Sequence, residues 1–327
     1  MSNPFANVRW IWKNGQLVEF EKATVHAMSH ALHYGSGVFE GIRCYKTRRG
    51  PAVFRLAEHL DRLEYSARIY RMPMPFSRDE LAEAILETIR ANEMESCYIR
   101  PVVYRGFGTM GVNPLKSPVE AMVAVWSWGK YLGEGATEGV DVGVSTWRRP
   151  ASDALPAIAK STGGYLNSQL IKMEALSNGF VEGIALDAQG FVSEGSGENL
   201  FLVRRGTLVS PSLAASVLDG ITRDAVITMA REMGIPVREE LVPRALLYTC
   251  DELFMTGTAA EITPIRSVDH YAVRTCPGEI TRRLLDAFMA AVTGEADDRH
   301  GWLTPVHAAR EAGTAPPPPA PALAREA

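Results

Sequence analysis

Lys160 stands in the stretch PAIAKSTGGYL, with Ala157, Ile158 and Ala159 before it and Ser161, Thr162, Gly163 and Gly164 after it. Lysine is seldom fully buried without a partner. Two uses fit such a neighbourhood. The stem can lie along apolar surface while the ammonium reaches water, or the amine can be kept in a dry site as a nucleophile towards a carbonyl, as in Schiff-base enzymes. Other groups along the chain suit an anionic ligand. DGITRDAV sets Gly220, Ile221 and Thr222 at the start of a helix, where free N–H groups and the positive end of the dipole receive phosphate; Thr222 is equally a candidate cap for its own helix. FMTGTAAEIT supplies a second amide-rich turn at Gly257 and Thr258, and Arg62 lies in EHLDRLEYSARIY, where a lone helical arginine is usually solvated. Glu194 and Glu198 in VSEGSGENLF allow a carboxylate pair of the glycosidase kind, an acidic surface loop, or one carboxylate paired with a pyridinium nitrogen. Tyr98 and Arg100 in CYIRPVVY share one face of a strand. They suit a carboxylate-bearing substrate or a structural cross-strand pair.

The elements needed to bring these groups together are partly legible. RWIWKNGQLVEF reads as a hairpin around Asn14-Gly15. PAVFRLAEHLDRLEYSARIYRM begins as a strand and becomes a helix with Leu56, Leu60, Leu63 and Ala67 on one side. FSRDELAEAILETIRAN opens with a Ser77/Glu80 capping box and aligns Leu81, Ile85 and Ile89. CYIRPVVYRGFG and VEAMVAVWSW read as strands. The second part holds strands and two clear helices: YLNSQLIKMEALSNG, with Leu166, Leu170 and Met173 on one side and a C-cap signal at Asn178-Gly179, and ITRDAVITMAREMG. EGIALDAQGFVSEG reads as a hairpin turning at Asp187–Gly190. The Gly-rich stretch GKYLGEGATEG marks an interdomain connection. The expected division is a small domain over 1–130, a connection over 131–139, a larger domain over 140–308 and a Pro/Ala-rich tail over 309–327 whose composition cannot build a core.

Bulk properties exclude several classes. A 327-residue chain with 46% hydrophobic and 22% charged residues is ordinary for a soluble protein of one large or two medium domains. A net charge of −4 with mixed signs argues against nucleic acid or an anionic membrane as partner. The four cysteines form no C-x-x-C pair and read as reduced packing residues, with no metal site. No signal peptide or membrane-spanning run is visible, which points to the cytoplasm. GFGTMG, Gly106 to Gly111, matches G-x-G-x-x-G, but Val112-Asn113-Pro114 follows at once and leaves no room for the helix that a dinucleotide site needs.

Taken as blocks, AMSHALHYGSGVFEGIRCY, EHLDRL, YIRPVVYRGFGTMGVNP, AKSTGGYLNSQL, EGIALDAQGFVSEGSGENLF, GITRDAV and FMTGTAAEITPIRSVD resemble the branched-chain amino acid aminotransferases, from about residue 8 to about residue 304 and in the same order. The resemblance implies an α/β (α+β) two-domain protein of PLP fold type IV, with a small N-terminal sheet-plus-helices domain and a larger C-terminal pseudo-barrel. It implies pyridoxal 5'-phosphate (PLP) as cofactor. The implied reaction moves the amino group of leucine, isoleucine or valine to 2-oxoglutarate. Lys160 matches the lysine that forms the aldimine with PLP and shuttles a proton. Tyr165 matches the partner of the cofactor's phenolic oxygen, and Glu194, not Glu198, the partner of its ring nitrogen. Arg62, Ile221, Thr222 and Thr258, with Leu218 and Gly220 beside them, match the cofactor and phosphate contacts. Tyr98, Arg100, Thr258 and Ala259 match groups that bind substrate carboxylates. Tyr34, Phe39, Gly41, Trp128 and Tyr131 match the side-chain pocket. Met110 and Val112 match a loop that reaches a neighbouring subunit's site, which implies a homo-oligomer, a dimer or a trimer of dimers.

Tyr104, Arg105 and Phe107 depart from the pattern, and Arg105 is expected to alter access or carboxylate preference. Within the same fold, a D-amino acid or (R)-amine transaminase and an aminodeoxychorismate lyase stay open as alternatives. A non-catalytic PLP-binding scaffold is a further one.

Overall fold

Asn14 and Gly15 both take positive φ, 48° and 94°, the conformation a two-residue hairpin turn requires. They join β1 (Trp10–Lys13) to β2 (Gln16–Glu19). The computed structural model describes residues 3–129 and 137–307. Tyr131, most of the expected connection and the tail from 309 onward therefore lie outside the described residues.

The first sheet continues with β3 (Gly37–Phe39), β4 (Ile42–Thr47), β5 (Gly50–Phe54), β6 (Cys97–Arg105) and β7 (Val119–Trp126), every pairing antiparallel. A short helix, α1 (His30–Tyr34), precedes β3. Two longer helices, α2 (Leu56–Ile69) and α3 (Arg78–Ala91), cover one face. Leu56, Leu60, Leu63 and Ala67 of α2, with Leu81, Ile85 and Ile89 of α3, are buried in one core with Ile42, Ile99, Val123 and Val125 of the strands. The capping box of α3 forms in both directions between Ser77 and Glu80.

The second sheet is mixed. Its strands are β8 (Val140–Val144), β9 (Glu182–Leu186), β10 (Phe191–Gly195), β11 (Asn199–Arg204), β12 (Thr207–Pro211), β13 (Val237–Glu240), β14 (Val242–Pro243), β15 (Glu252–Gly257), β16 (Glu261–Val268) and β17 (Tyr271–Ala272). Period-two alternation sorts its side chains into two cores. Leu200, Leu202, Leu253 and Met255 point into one cluster with residues from β8, β9, β10, β12, β14 and β16, so the sheet wraps around that interior. Their neighbours Phe201, Val203 and Phe254 point the other way, against α5 (Ile221–Glu232) and α6 (Glu279–Val292). The last strand, β18 (Leu303–Pro305), leaves this half and pairs with β5 at the edge of the first sheet.

Two features go beyond the sequence expectation. Helix α4 (Tyr165–Ser177) buries Ser168, Ile171 and Ala175, while Leu166 and Met173 are exposed. Gly183 on β9 explains the rotation. A Cβ there would lie 2.7 Å from Ile171 Cγ2, so the helix sits tight on the strand through Ile171 and turns its larger residues outward. Helix α6 is a third helix where two were expected. It begins at Gly278 without a side-chain cap of its own. Its first amides, Ile280 and Thr281, donate to the Glu252 carboxylate on β15 at 3.1 and 2.8 Å. This cap comes from far along the chain and leaves no local start signal. The G-x-G-x-x-G stretch lies in a helix-free loop between β6 and β7, as expected.

Candidate active site

Lys160 is buried at 9% exposure, and its Nζ donates to the Tyr165 hydroxyl at 2.6 Å. The backbone fixes both ends of this pair. Lys160 N–H donates to Ser66 Oγ at 3.1 Å, Phe39 N–H donates to the Lys160 carbonyl at 3.0 Å, and Tyr165 opens α4 five residues on. The ammonium also lies 5.2 Å from the Phe39 ring centre and 5.0 Å from that of Tyr165. The solvated reading of this lysine is thereby excluded.

Beside it opens a cavity of about 110 Å3 between the two sheets. One wall comes from the side of the first sheet, with Arg62 contributed by α2: Phe39, Gly41, Arg62, Tyr98, Arg100 and Trp128. Tyr98 and Arg100 share a face of β6, and Arg100 Nη2 donates to the Tyr98 hydroxyl at 3.1 Å while its guanidinium lies 4.6 Å from the Phe39 ring centre. Gly41 is required by this arrangement, because a Cβ there would meet Tyr98 Oη at 2.0 Å. The other wall carries Leu218, Gly220, Ile221, Thr222, Thr258 and Ala259. Gly220 is the N-cap of α5 and provides no side-chain cap, and Thr222 does not cap the helix either. The helix N-terminus therefore presents free amides beside Arg62, a cradle for a doubly charged anion.

Arg62 owes its place to a residue that sequence reasoning missed. Glu40 is sealed from solvent and accepts from Arg62 Nε at 2.6 Å, from Arg62 Nη2 at 2.8 Å and pairs with His59 Nδ1 at 2.7 Å. Burial alone would raise its pKa, but the Arg62 charge and hydrogen bonds, helped by His59, hold it well below the usual carboxylate range. Burial pushes the His59 ring below the ordinary imidazole value against the pull of Glu40. Arg62 Nη1 is aimed at the Asp219 carbonyl at 2.7 Å, next to the α5 terminus.

An adjoining recess, sharing Lys160, Tyr165 and Leu218 with the main cavity, exposes Glu194. Its carboxylate accepts from Leu218 N–H at 3.0 Å and Asn199 Nδ2 at 3.1 Å and meets Arg149 Nη2 at 3.2 Å. Burial raises the Glu194 pKa, and the Arg149 charge with the Leu218 hydrogen bond opposes the rise. Arg149, also missed from sequence, clamps the Gly195 and Ser196 carbonyls at 2.7 and 3.0 Å. Glu198 turns towards the Gly197 amide and lines both recesses without touching that network. Burial, then the nearby Glu182 charge, push its pKa up to about 8.

Among the described residues, three buried side-chain atoms lack a partner: Arg100 Nε, Arg149 Nε and Thr256 Oγ1. All three residues line these recesses. Buried polar groups are normally paired, so their concentration here marks a surface built for a polar ligand. Cradle, amine, buried carboxylate and hydroxyl fit a phosphorylated pyridine aldehyde.

Not every expected residue reaches the cavity. Tyr34 packs against His30 with the rings tilted and their centres 4.5 Å apart, and it lines a separate hollow with Arg105 and Ser161. Met110 and Val112 are exposed on the β6–β7 loop, Val112 at 87%. Arg105 is a correction: it is buried and donates to the carbonyls of Pro114, Tyr70 and Arg71, so it anchors that loop and does not face the substrate cavity.

A family model for class IV aminotransferases matches residues 37–268, and the chain belongs to that family. Among its relatives, the branched-chain-amino-acid aminotransferase of Salmonella typhimurium is 52% identical over 302 residues, 91% of this chain and 97% of the relative. The protein of that name from Escherichia coli strain K12 is 51% identical over the same length. The crystal structure of the Escherichia coli branched-chain amino acid aminotransferase superposes with a TM-score of 0.90 at 50% identity, covering 92% of this chain and all of that one. The branched-chain amino acid aminotransferase of Thermobaculum terrenum, solved in its PLP-bound holo-form, superposes with a TM-score of 0.87 at 35% identity, covering 94% of this chain and all of that one.

Proposed function

We propose that the protein binds PLP and reversibly transfers the amino group of L-leucine, L-isoleucine or L-valine to 2-oxoglutarate, giving the branched-chain 2-oxo acid and L-glutamate. The observation that carries this reading is the buried Lys160, bonded to the half-buried Tyr165 and standing between an anion cradle and an aromatic pocket that contains one arginine. Bound PLP supplies an electron sink for the pair of electrons left when the substrate Cα loses its proton. The chain supplies the rest. Arg62 and the Ile221 and Thr222 amides hold the phosphate. Glu194, buried and steadied by Arg149, faces the ring nitrogen. Lys160 Nζ moves the proton, and Tyr165 keeps that amine oriented. Phe39, Tyr98 and Trp128 exclude water from the substrate side chain, and their apolar walls accept leucine, isoleucine and valine because one methylene changes binding by only ~1–3 kcal/mol. Arg100, with an unpartnered Nε, receives the side-chain carboxylate when glutamate takes the same place, and the Thr258–Ala259 turn receives the α-carboxylate.

The same reading takes the two sheets as two domains divided near residues 131–139. It takes the working form as a homo-oligomer in the cytoplasm. Supporting an oligomer, Leu32, Phe107, Met110, Val112 and Leu166 are all exposed; Tyr34, Met110 and Val112 then serve a neighbouring copy's cavity. Among the described residues no helix is long and apolar enough to cross a membrane.

The deciding experiment is an absorbance spectrum of the purified protein with PLP. A near-visible band that fades with L-leucine and returns with 2-oxoglutarate establishes both half-reactions, and Lys160→Ala should lose turnover by at least ~10^3-fold. A band that ignores leucine but responds to a D-amino acid or an (R)-amine refutes the substrate assignment.

A further inference from the structure

Glu261 opens β16 with φ 53°, in the left-handed region where a residue with a Cβ is strained and glycine is not. It lies opposite Gly257 in the β15–β16 pairing, so it closes the turn that holds Thr258, Ala259 and Ala260 at the cavity wall. Strain of this kind persists where surrounding contacts over-determine it. The contacts here come from the other sheet. Arg43 Nη1 lies 3.4 Å from Glu261 Oε1, with both side chains largely shielded at 18% and 24% exposure. The buried Tyr45 hydroxyl lies against the same carboxylate; burial first, and then the Glu261 charge, keep it from ionising. Arg43 also stacks over the Tyr45 ring at 5.3 Å. Arg43 and Tyr45 share a face of β4, the strand that begins directly after Phe39 and Gly41. One carboxylate therefore joins the second sheet's turn to the strand that carries part of the first sheet's pocket.

We propose that Glu261 is a positioning residue of the transamination: tied to Arg43 and Tyr45, it fixes the Thr258–Ala259 turn against the Phe39–Gly41 wall. The substrate's α-carboxylate and its side chain are then held at one spacing. The inference rests on the transaminase reading for its kinetic consequence, but the tie itself does not. A shielded ion pair bridging two sheets constrains their separation whatever binds between them. Glu261→Gln removes the tie and keeps the strain, whereas Glu261→Gly removes both, so the two variants together separate the contributions. A merely structural residue would lose stability alone on removal, whereas this one should lose substrate positioning as well, and in Glu261→Gly should do so without loss of stability, because relief of the strain offsets the lost ion pair.

The test uses the PLP-loaded enzyme and the variants E261Q, E261G, R43M and E261Q/R43M, each measured by steady-state kinetics with L-leucine and 2-oxoglutarate and by thermal unfolding. Expected are KM values raised ~10-fold for both substrates with kcat changed far less, the pattern of lost uniform binding. E261G should reach a Tm no lower than the parent's despite its raised KM. The double variant should show less than the sum of the single effects on Tm and KM, as contacting residues do. Unchanged KM in folded, PLP-loaded E261Q and E261G overturns the positioning role, and additive Tm shifts in the four-protein cycle overturn the tie. A parent protein that turns over no leucine refutes the transaminase reading alone, because the cycle in Tm still decides whether Glu261 and Arg43 are coupled.

Discussion

Glu40 and Glu198 are both sealed carboxyl groups at the margin of one cavity, yet they are driven in opposite directions. Glu40 faces a guanidinium and an imidazole within hydrogen-bond reach and is held ionised. Glu198 has one backbone amide close by and another buried acid, Glu182, as its electrostatic neighbour, and its pKa rises to about 8. Burial is nearly the same for the two, so burial does not decide the charge. What decides it is whether a cation lies near enough to offset the loss of water. The first group serves as a rigid mount for Arg62. The second sets a neutral acid in the wall of the recess that also holds Lys160, without adding negative charge there.

The largest break in this contrast should come from Glu40→Ala, which leaves Arg62 buried without its counter-ion. Loss of about 3–5 kcal/mol is expected, a fall in Tm of roughly 10 °C, together with weakened PLP retention. Calorimetry and cofactor titration check it. The sign with pH follows from the lowered pKa: the Glu40 contribution is present above the unfolded carboxylate value of 4.5 and is lost as pH falls through the lower folded value. The deficit of the variant should therefore shrink on acidification.

Next in size is Glu194→Gln, in which the group that the proposed function sets against the ring nitrogen is replaced by an uncharged one of the same shape. Turnover with leucine should fall about 10^2–10^3-fold, with folding little changed. A variant of near-parental activity would mean that Glu198 and not Glu194 faces the ring.

Glu198→Gln should act in the opposite sense to Glu40→Ala. With a raised pKa, the folded state binds the proton more tightly than the unfolded chain, so stability is greatest below 4.5 and declines as pH rises through about 8. An amide has no proton to lose. Its Tm should exceed the parent's by roughly 2–5 °C at pH 8, with the difference vanishing near pH 4.5. Unfolding curves at those two pH values settle whether the neutral-acid assignment holds.

The smallest effect serves as a control away from both groups. Ser77→Ala removes the exposed α3 cap and should cost about 1 kcal/mol, a Tm shift of roughly 2–4 °C, with kinetic constants untouched.

The difference between the two acids also marks how far the sequence can be read. Local signals held well: the Asn14-Gly15 turn, the apolar stripe of α2, the Ser77/Glu80 box and the Asp187–Gly190 hairpin are each decided within a few residues. Lys160 could be singled out because a charged side chain among small ones is locally anomalous. Tyr98 and Arg100 could be paired because strand periodicity is fixed. Glu40 and Arg149 had no such signature. Their meaning lies in partners 22 and 45 residues away, and no spacing rule connects a strand end to a helix face. The missed α6 has the same cause, since its cap is Glu252 on another strand. The side of α4 that carries Leu166 and Met173 is not its buried side, because a glycine on the facing strand favours the closer approach of Ile171. Sequence showed which groups have chemistry; the sheets decided which of them meet.

The return of β18 to the first sheet has a consequence for biosynthesis. Leu303 pairs with Phe54, and the Trp302 carbonyl accepts from Arg55 N–H at 2.6 Å. The strand that completes this edge emerges about 250 residues after its neighbour, which at ~5–20 residues per second means a delay of roughly 12–50 s. Until then β5 has an open edge on the ribosome, able to pair with another nascent chain, and the half made first is the half finished last.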